Sequence, residues 1–142
     1  MGPVSVTQSS MYKDAVADRA IDGDMETTSH TDCAWDTDLW YKMEFDAVYC
    51  LSEIVIFQSH LNHNVKRMQN LKIFVGNRTT NTESLCGTLN VGDDFTLEGQ
   101  TYRIPCDACG DQVKLSLRHD TGSDGMEGCI HMREIRVVQS GG

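Results

Sequence analysis

Apolar and polar residues alternate with a period of two along several short stretches of this chain, and turn-forming residues separate the stretches. Such alternation is typical of a β-strand with one buried face. Other runs are continuous and rich in β-branched and aromatic residues, which also favour strands. The strands predicted in these two ways lie at 41–45, 54–57, 71–75, 113–117 and 135–137.

Helix signals are sparse by comparison. Only residues 13–21 have the spacing of apolar residues that a short helical turn requires. The segments between the predicted strands are rich in Gly, Asp, Asn, Ser and Thr, as turns require. Many short strands with little helix predict an all-β fold, an antiparallel β-sandwich or jelly roll. A length of 142 residues is right for one domain, which we assign to residues 4–140.

The charge balance restricts the partners. The chain carries 12 basic and 21 acidic residues, a net charge of −9. A field of this sign repels phosphate groups, so we expect no nucleic acid partner and no binding to anionic membranes. The chain also lacks an apolar run of roughly 20 residues, so we expect no membrane insertion. Cations, basic proteins and neutral sugars remain as partners, although most acidic side chains simply favour solubility.

Six cysteines are many for a chain of this length. An even number indicates three disulfides formed in an oxidising compartment, with 15 pairings available. Zinc binding and redox chemistry are weaker alternatives, because the single C-x-x-C has no second ligand pair and precedes a strand-like run. We therefore predict a secreted, extracellular protein, and the sequon Asn77-Arg78-Thr79 agrees with a glycoprotein. The cysteines are Cys33, Cys50, Cys86, Cys106, Cys109 and Cys129.

An acidic turn near the N-terminus is a candidate cation site. Asp22-Gly23-Asp24 places two carboxylates around a glycine, and Asp32 follows nearby. Calcium prefers carboxylate and carbonyl oxygens arranged on a tightly turned loop. The alternative is an ordinary solvated turn, since Asp-Gly is a common turn dipeptide. The pattern therefore predicts calcium binding without establishing it.

An ordered set of short motifs resembles the F-type lectins (fucolectins), which belong to the discoidin-like group. No single motif is specific, but their order matches over nearly the whole chain. The resemblance implies a jelly roll of that group, with one calcium ion joining the first loop to the last strand. The motifs are Thr7-Gln8-Ser9-Ser10, Ala20-Ile21-Asp22-Gly23-Asp24, Cys33, Trp40-Tyr41, Val75-Gly76, Cys86-Gly87-Thr88, Cys106 and Glu134-Ile135-Arg136-Val137.

The same resemblance implies a set of calcium ligands and a disulfide pattern. It pairs Cys86 with Cys106 and joins Cys33 to the C-terminal region, where we assign Cys129, and this leaves Cys50 and Cys109 as an extra pair. The implied cation is mainly structural and holds the binding loops in place. Its implied ligands are the carbonyl oxygens of Arg19 and Arg133 and the carboxylates of Asp22, Asp24, Asp32 and Glu134.

The sugar-binding motif of that family is altered in this chain. The family's Arg-x-Asp falls on His60-Leu61-Asn62, and its second cation falls on Arg67. The loop after Cys33 holds no histidine, and Trp35 or Asp36 occupies that region. The resemblance thus implies Trp35, His60, Asn62 and Arg67 as glycan contacts, with fucose or an altered specificity. The alternatives are exposed loop histidines at 60 and 63, with zinc binding a weaker option, and a Trp35 partly buried under its loop.

These observations predict a calcium-binding, secreted carbohydrate-recognition domain whose partner is a glycan or glycoprotein. The rival is an adhesion or receptor-binding domain that kept the scaffold and lost the sugar site. Common catalytic motifs are missing from the sequence, so we expect no enzyme, although its acidic residues would allow a glycosidase pair. Because one such site binds weakly, oligomers or tandem domains are expected.

Overall fold

The polypeptide folds almost entirely into antiparallel β-structure, as a computed structural model shows for residues 3–24, 26–58, 65–96 and 101–140. This confirms the all-β prediction. None of the helices in these residues is long and apolar enough to cross a membrane. The strands are β1 (Ser5–Gln8), β2 (Ser29–His30), β3 (Leu39–Gln58), β4 (Lys72–Asn77), β5 (Thr82–Thr88), β6 (Phe95–Thr96), β7 (Thr101–Leu117) and β8 (His131–Gln139), the 3-10 helices are Ala17–Ala20 and Val65–Met68, and the short helix α1 is Val91–Asp94.

Two long strands, β3 and β7, run side by side through the middle of the fold. Their pairing is continuous from Leu39↔Leu117 to Glu44↔Gln112 and resumes at Tyr49↔Gly110. The extra residues on β3 between these two arms form an exposed bulge, and a bulge bends a strand and increases its twist. The predicted strands at 41–45 and 54–57 are therefore the two arms of one bent strand.

The other strands pair with one arm or the other. The hydrogen-bonded order is β2-β8-β3-β7-β4-β5, with β1 on β3 and β6 on β7. β4 pairs with β7 at residues 112–116, whereas β8 pairs with β3 at residues 51–58. Each arm thus carries its own neighbours, and the bend folds the two halves over a shared core.

One hydrophobic cluster fills the space between the halves. Burying a large apolar side chain in such a core contributes roughly 1.5–3 kcal/mol. The alternation predicted for 41–45 is confirmed, because Tyr41, Met43 and Phe45 are buried while Lys42 and Glu44 are not. The helical turn predicted within 13–21 is the 3-10 helix Ala17–Ala20. The Tyr41 hydroxyl donates a 2.8 Å hydrogen bond to the Ala17 carbonyl and holds this helix on the core.

Three disulfides close the fold, and they are the pairs assigned above: Cys86–Cys106 as the resemblance implies, Cys33–Cys129 as we assigned it, and Cys50–Cys109 as the remaining pair. Cys86–Cys106 spans 20 residues of sequence, Cys50–Cys109 spans 59, and Cys33–Cys129 spans 96. Cys50–Cys109 joins β3 to β7 beside the bulge. Each bridge of this kind typically contributes 2–4 kcal/mol, with wider loops gaining more in the chain-entropy account.

The ends of the bent strands meet at one pole of the molecule. β8 begins at His131 beside Gln58, which is the last residue of β3. Cys129 precedes β8 and is bonded to Cys33, which precedes the start of β3 at Leu39. Both ends of β3 therefore lie near the Cys33–Cys129 bridge. The bulge and the turn between β4 and β5 lie at the opposite pole, where Arg78 forms ion pairs with Glu44 and Asp111.

The close approach at that opposite pole requires a glycine at position 110. A Cβ on Gly110 would contact the Gly76 carbonyl oxygen and approach Val75 Cγ1 to 2.7 Å. Because a backbone atom cannot move aside cheaply, we expect Gly110→Ala to destabilise the protein by about 1–3 kcal/mol. Urea unfolding measures this change. Gly125→Ala is the matched control, since a Cβ there meets no atom within 4 Å, and equal stability of the two variants would contradict the prediction.

Candidate functional site

The pole around Cys33–Cys129 is built from three loops that are joined to one another. We call it the disulfide pole, and it comprises residues 33–38, 65–70 and 118–129. Beside the disulfide, Ala34 and Gly128 form a two-way backbone pair, with N–O distances of 3.1 and 3.2 Å. The covalent bond and this pair fix the loop that carries Trp35 against the loop that precedes β8.

Further polar contacts join the same two loops. Thr121 donates to both carboxylate oxygens of Asp36, from its backbone N–H at 3.1 Å and from its hydroxyl at 2.8 Å. These hydrogen bonds hold the pKa of Asp36 below its ordinary value. Asp36 has a φ of +55°, and its backbone N–H donates to the His119 carbonyl at 2.7 Å. The turn after Trp35 is therefore determined by contacts on both its backbone and its side chain.

The 3-10 helix Val65–Met68 is the third component of the disulfide pole. Its Arg67 carbonyl accepts a 3.2 Å hydrogen bond from the Cys129 N–H, and Met68 is fully buried beneath it. The Arg67 side chain is half-buried. Its guanidinium lies close enough to His30 to contribute to lowering the pKa of that ring, after the larger effect of burial. The backbone of Arg67 is thus held at the disulfide.

The structure brings together two of the four residues implied as glycan contacts. Trp35 is half-buried two residues after Cys33, and the Arg67 carbonyl accepts from Cys129, so both lie at the disulfide pole. His60 and Asn62 lie outside the described residues, as do His63 and Asn64 of the same loop. The assignment of all four residues to a sugar site stays a prediction.

His119 was not singled out by the sequence, yet it holds the disulfide pole together. Its side chain is buried, with Nδ1 2.9 Å from the Met126 carbonyl oxygen and Nε2 2.7 Å from the Gln69 carbonyl oxygen. Carbonyl oxygens only accept hydrogen bonds, so the ring is the donor to the loops on either side of it. A lone histidine after a strand carries no sequence pattern that would have predicted this role.

The predicted cation site lies apart from these loops, where residue 22 meets residue 134. Glu134 is 7 % exposed, and its Oε1 accepts a 3.3 Å hydrogen bond from the Gly23 N–H. Burial raises the pKa of Glu134, and the nearby Asp22 carboxylate raises it further, while the Gly23 N–H opposes both effects. Two acidic residues distant in sequence therefore share one location and repel each other there.

Thr27 completes this location, although no sequence motif indicated it. Its hydroxyl lies 2.6 Å from Asp22 Oδ2, 3.1 Å from the Asp24 carbonyl oxygen and 3.4 Å from the Arg19 carbonyl oxygen. A hydroxyl has one proton and cannot donate fully to three oxygen atoms. The crowding of oxygen atoms around the Thr27 hydroxyl indicates a candidate cation site, and it is visible only in the three-dimensional structure.

The remaining predicted calcium ligands make different contacts. Asp24 places its carbonyl at Thr27, while its carboxylate accepts from the Glu26 N–H. Asp32 lies beyond β2, and its backbone N–H donates to Ser10 Oγ. Arg133 directly precedes Glu134 and donates from Nε to the Gln58 carbonyl. In residues 3–24, 26–58, 65–96 and 101–140, no three His, Cys, Asp or Glu side chains converge as a metal cluster. The assignment of Asp32 and Arg133 as ligands stays a prediction.

The donor set nevertheless fits a hard cation. The Asp22 and Glu134 carboxylates, the Arg19 and Asp24 carbonyls and the Thr27 hydroxyl provide five oxygen donors around one location. Calcium takes six to eight oxygen ligands and accepts water for the remainder. The calcium assignment is therefore chemically consistent with this arrangement, and it stays a prediction.

Comparisons with known proteins identify the fold but leave the family open. No protein-family model matches the chain, and no curated protein matches it. Among solved structures, the Clostridium perfringens module CpGH89CBM32-5, in complex with GalNAc-β-1,3-galactose, has a TM-score of 0.72 at 18% identity and covers 94% of each chain. A Streptococcus pneumoniae fucose-binding module has a TM-score of 0.70 at 20% identity, covering 94% of this chain and 91% of that one.

An F-type lectin is also among the similar structures. The fucolectin from striped bass (Morone saxatilis) serum has a TM-score of 0.66 at 18% identity, covering 94% of this chain and 44% of the lectin. The described domain thus spans less than half of that lectin chain. These likenesses confirm that the chain has the β-sandwich fold shared by F-type lectins and discoidin-like modules, as the sequence resemblance implied.

Burial of His30 predicts that the stability of the protein depends on pH. The His30 ring lies 5.0 Å from the Tyr12 ring and 5.3 Å from the His131 ring, and burial lowers its pKa below the ordinary value of 6.5. The unfolded chain therefore binds a proton at His30 more readily than the folded protein does. We expect the free energy of unfolding contributed by this group to be fully present above pH 6.5 and to be lost as the pH falls toward the lowered pKa.

The measurement is urea unfolding between pH 7.5 and 5 for the parent protein and for His30→Gln, whose side chain does not titrate. The variant should lose less stability over this interval than the parent does. Identical pH slopes for the two proteins would show that His30 is not responsible.

Proposed function

We propose that this protein is a carbohydrate-recognition domain that binds a neutral glycan at the disulfide pole. The observation that carries the proposal is that Trp35 and Arg67 both have their backbones beside the Cys33–Cys129 bridge, since Trp35 follows Cys33 by two residues and the Cys129 N–H donates to the Arg67 carbonyl. The fold likeness supports it, because the similar structures include a fucose-binding module and modules in complex with GalNAc-β-1,3-galactose and Lewis b.

The chemistry of these two side chains is suited to a pyranose ring. An indole presents a flat π-face that packs on the apolar C–H face of a sugar. A guanidinium offers several N–H donors in a fixed plane, which match ring and hydroxyl oxygens. The net charge of −9 disfavours anionic sugars and leaves neutral ones. Fucose is the first candidate, and the altered motif favours a specificity that differs from that of ordinary fucolectins.

We further propose that the oxygen donors around Asp22 and Glu134 bind one calcium ion. A bound calcium ion supplies positive charge that offsets the repulsion between the two carboxylates. The Arg19 and Asp24 carbonyls and the Thr27 hydroxyl would complete the protein ligands. This site joins the loop at 19–27 to β8, so its role is to stabilise the scaffold that carries the disulfide pole.

Three disulfides support an extracellular location, because such bonds persist in oxidising compartments. We propose that the domain is secreted, non-catalytic and glycosylated at Asn77, which ends β4 at the opposite pole. Binding by a single site of this type is weak, so we propose that function requires oligomers or tandem copies. Turnover of chromogenic glycosides by the purified protein would overturn the non-catalytic assignment.

A glycan array tests the main proposal, and Arg67→Ala identifies the site. We expect the parent protein to bind a defined set of neutral glycans and Arg67→Ala to lose at least tenfold in affinity, because a charged hydrogen-bond donor is removed. Lys114→Ala is the matched control, since it removes a surface cation that pairs with Glu83 in the middle of the sheet.

If the folded parent protein binds no glycan on the array, the glycan proposal is contradicted. It would favour the rival function, a protein-binding adhesion domain on the same scaffold. Equal binding by Arg67→Ala and Lys114→Ala would keep the lectin assignment but move its site.

Calcium binding is tested by thermal unfolding with and without the ion. Calcium should stabilise the parent protein, by about 2.7 kcal/mol at a concentration of 100 times Kd, because the ion binds only the folded state. Asp22→Asn should lose most of this gain. Asp107→Asn, at an exposed position on β7, should retain it. A parent protein whose unfolding is unaffected by calcium at pH 7.5 would rule the site out.

A further inference from the structure

A concave surface lies beside the segment that carries Arg67. It is a cavity of about 430 Å³ between the 3-10 helix Val65–Met68, the short helix α1 and the loop at 118–129. Its lining includes Lys66, Gln69, Val91, His119, Asp124 and Met126. Ligand pockets are typically about 300–1,000 Å³ in volume. The cavity is therefore large enough for a small ligand.

The walls of this cavity are held in place by hydrogen bonds. His119 contacts the carbonyls of Gln69 and Met126, which lie on two different walls. The Gln69 side-chain oxygen accepts a 2.8 Å hydrogen bond from the Val91 N–H, and this contact attaches α1 to the helix Val65–Met68. The Asp124 carboxylate accepts from the Asp120 N–H at 2.7 Å within the loop. A ligand would thus meet a largely formed site and incur little ordering cost.

The side chains around the cavity have mixed character. Val91 and Met126 are half-buried apolar groups, and the exposed Lys66 ammonium and the half-buried Asp124 carboxylate are charged groups of opposite sign. Apolar surface with a few polar groups matches a sugar unit, which has apolar C–H faces and polar edges. The two opposite charges favour a neutral ligand over an ionic one.

The cavity and the proposed glycan site share one wall. The Arg67 carbonyl, in the helix Val65–Met68, accepts from Cys129. Two residues later, the Gln69 carbonyl contacts His119, which lines the cavity. Lys66 of the cavity directly precedes Arg67 of the glycan site. The cavity therefore borders the segment that carries Arg67.

We propose that this cavity is a second subsite, which holds a further sugar unit of the glycan bound at Trp35 and Arg67. The inference rests on the proposed glycan function and extends it to the class of ligand. The domain then selects a neutral di- or oligosaccharide over the corresponding monosaccharide.

Isothermal titration calorimetry tests the second subsite with two pairs of probes. The pairs are galactose against GalNAc-β-1,3-galactose, and fucose against the fucosylated Lewis b oligosaccharide. We expect the parent protein to bind the larger member of at least one pair at least tenfold more tightly. Val91→Trp, which fills the cavity, should remove this preference while leaving monosaccharide affinity unchanged. Val48→Trp is the matched control, because Val48 is 54% exposed on the bulge at the opposite pole.

A second cavity variant keeps the test informative if Val91→Trp misfolds. Lys66→Ala changes an exposed side chain and should weaken oligosaccharide binding but not monosaccharide binding. Equal binding of mono- and oligosaccharides by the parent protein would overturn the second subsite. So would a preference for the oligosaccharide that both cavity variants keep. The glycan proposal survives either result. If the parent protein binds none of the four probes and is silent on the array, both proposals fail together.

Discussion

The Cys33–Cys129 bond is the constraint on which the proposed site depends. It joins two segments that are 96 residues apart in sequence, one before β3 and one before β8. The loops that follow and precede these cysteines then exchange backbone hydrogen bonds at Ala34 and Gly128, and the helix Val65–Met68 is attached through Arg67. Without that bond, three loops from distant parts of the chain would each have to be ordered at separate entropic cost.

The protein has two polar regions in which carboxylates are in different electrostatic environments. At the disulfide pole, carboxylates such as Asp36 accept hydrogen bonds that stabilise their ionised form. At the cation location, Glu134 is buried beside Asp22, and its ionised form is disfavoured. The first arrangement is complete within the protein, whereas the repulsion in the second would be relieved by a positive charge from outside. This contrast explains why the calcium proposal concerns Asp22 and Glu134 rather than the many other acidic residues.

The strands with one buried face were predictable, because apolar residues alternate with polar ones just as buried positions alternate with exposed ones. Residues 41–45 and 113–117 follow this pattern in the fold. The continuity of β3 was not predictable, since the exposed residues 46–48 that join its two arms have no alternation. β5 was missed because it is largely exposed, and the first arm of β7 because Pro105 indicates a strand end. At the site, ordered motifs indicated Asp22, Glu134 and Arg67, but Thr27 and His119 act through contacts that only the folded chain creates.

The bent pairing of β3 with β7 has a kinetic consequence. Leu39 pairs with Leu117 and Phe57 pairs with Thr101, so the central ladder forms only after long chain segments have closed. Folds dominated by such non-local pairing have high contact order and fold slowly, in milliseconds to seconds. A slowly folding chain with six thiols is exposed to mispairing before its ladder is complete. We therefore expect efficient production to require a thiol–disulfide isomerase, which gives the chain repeated opportunities to reach its native bonds.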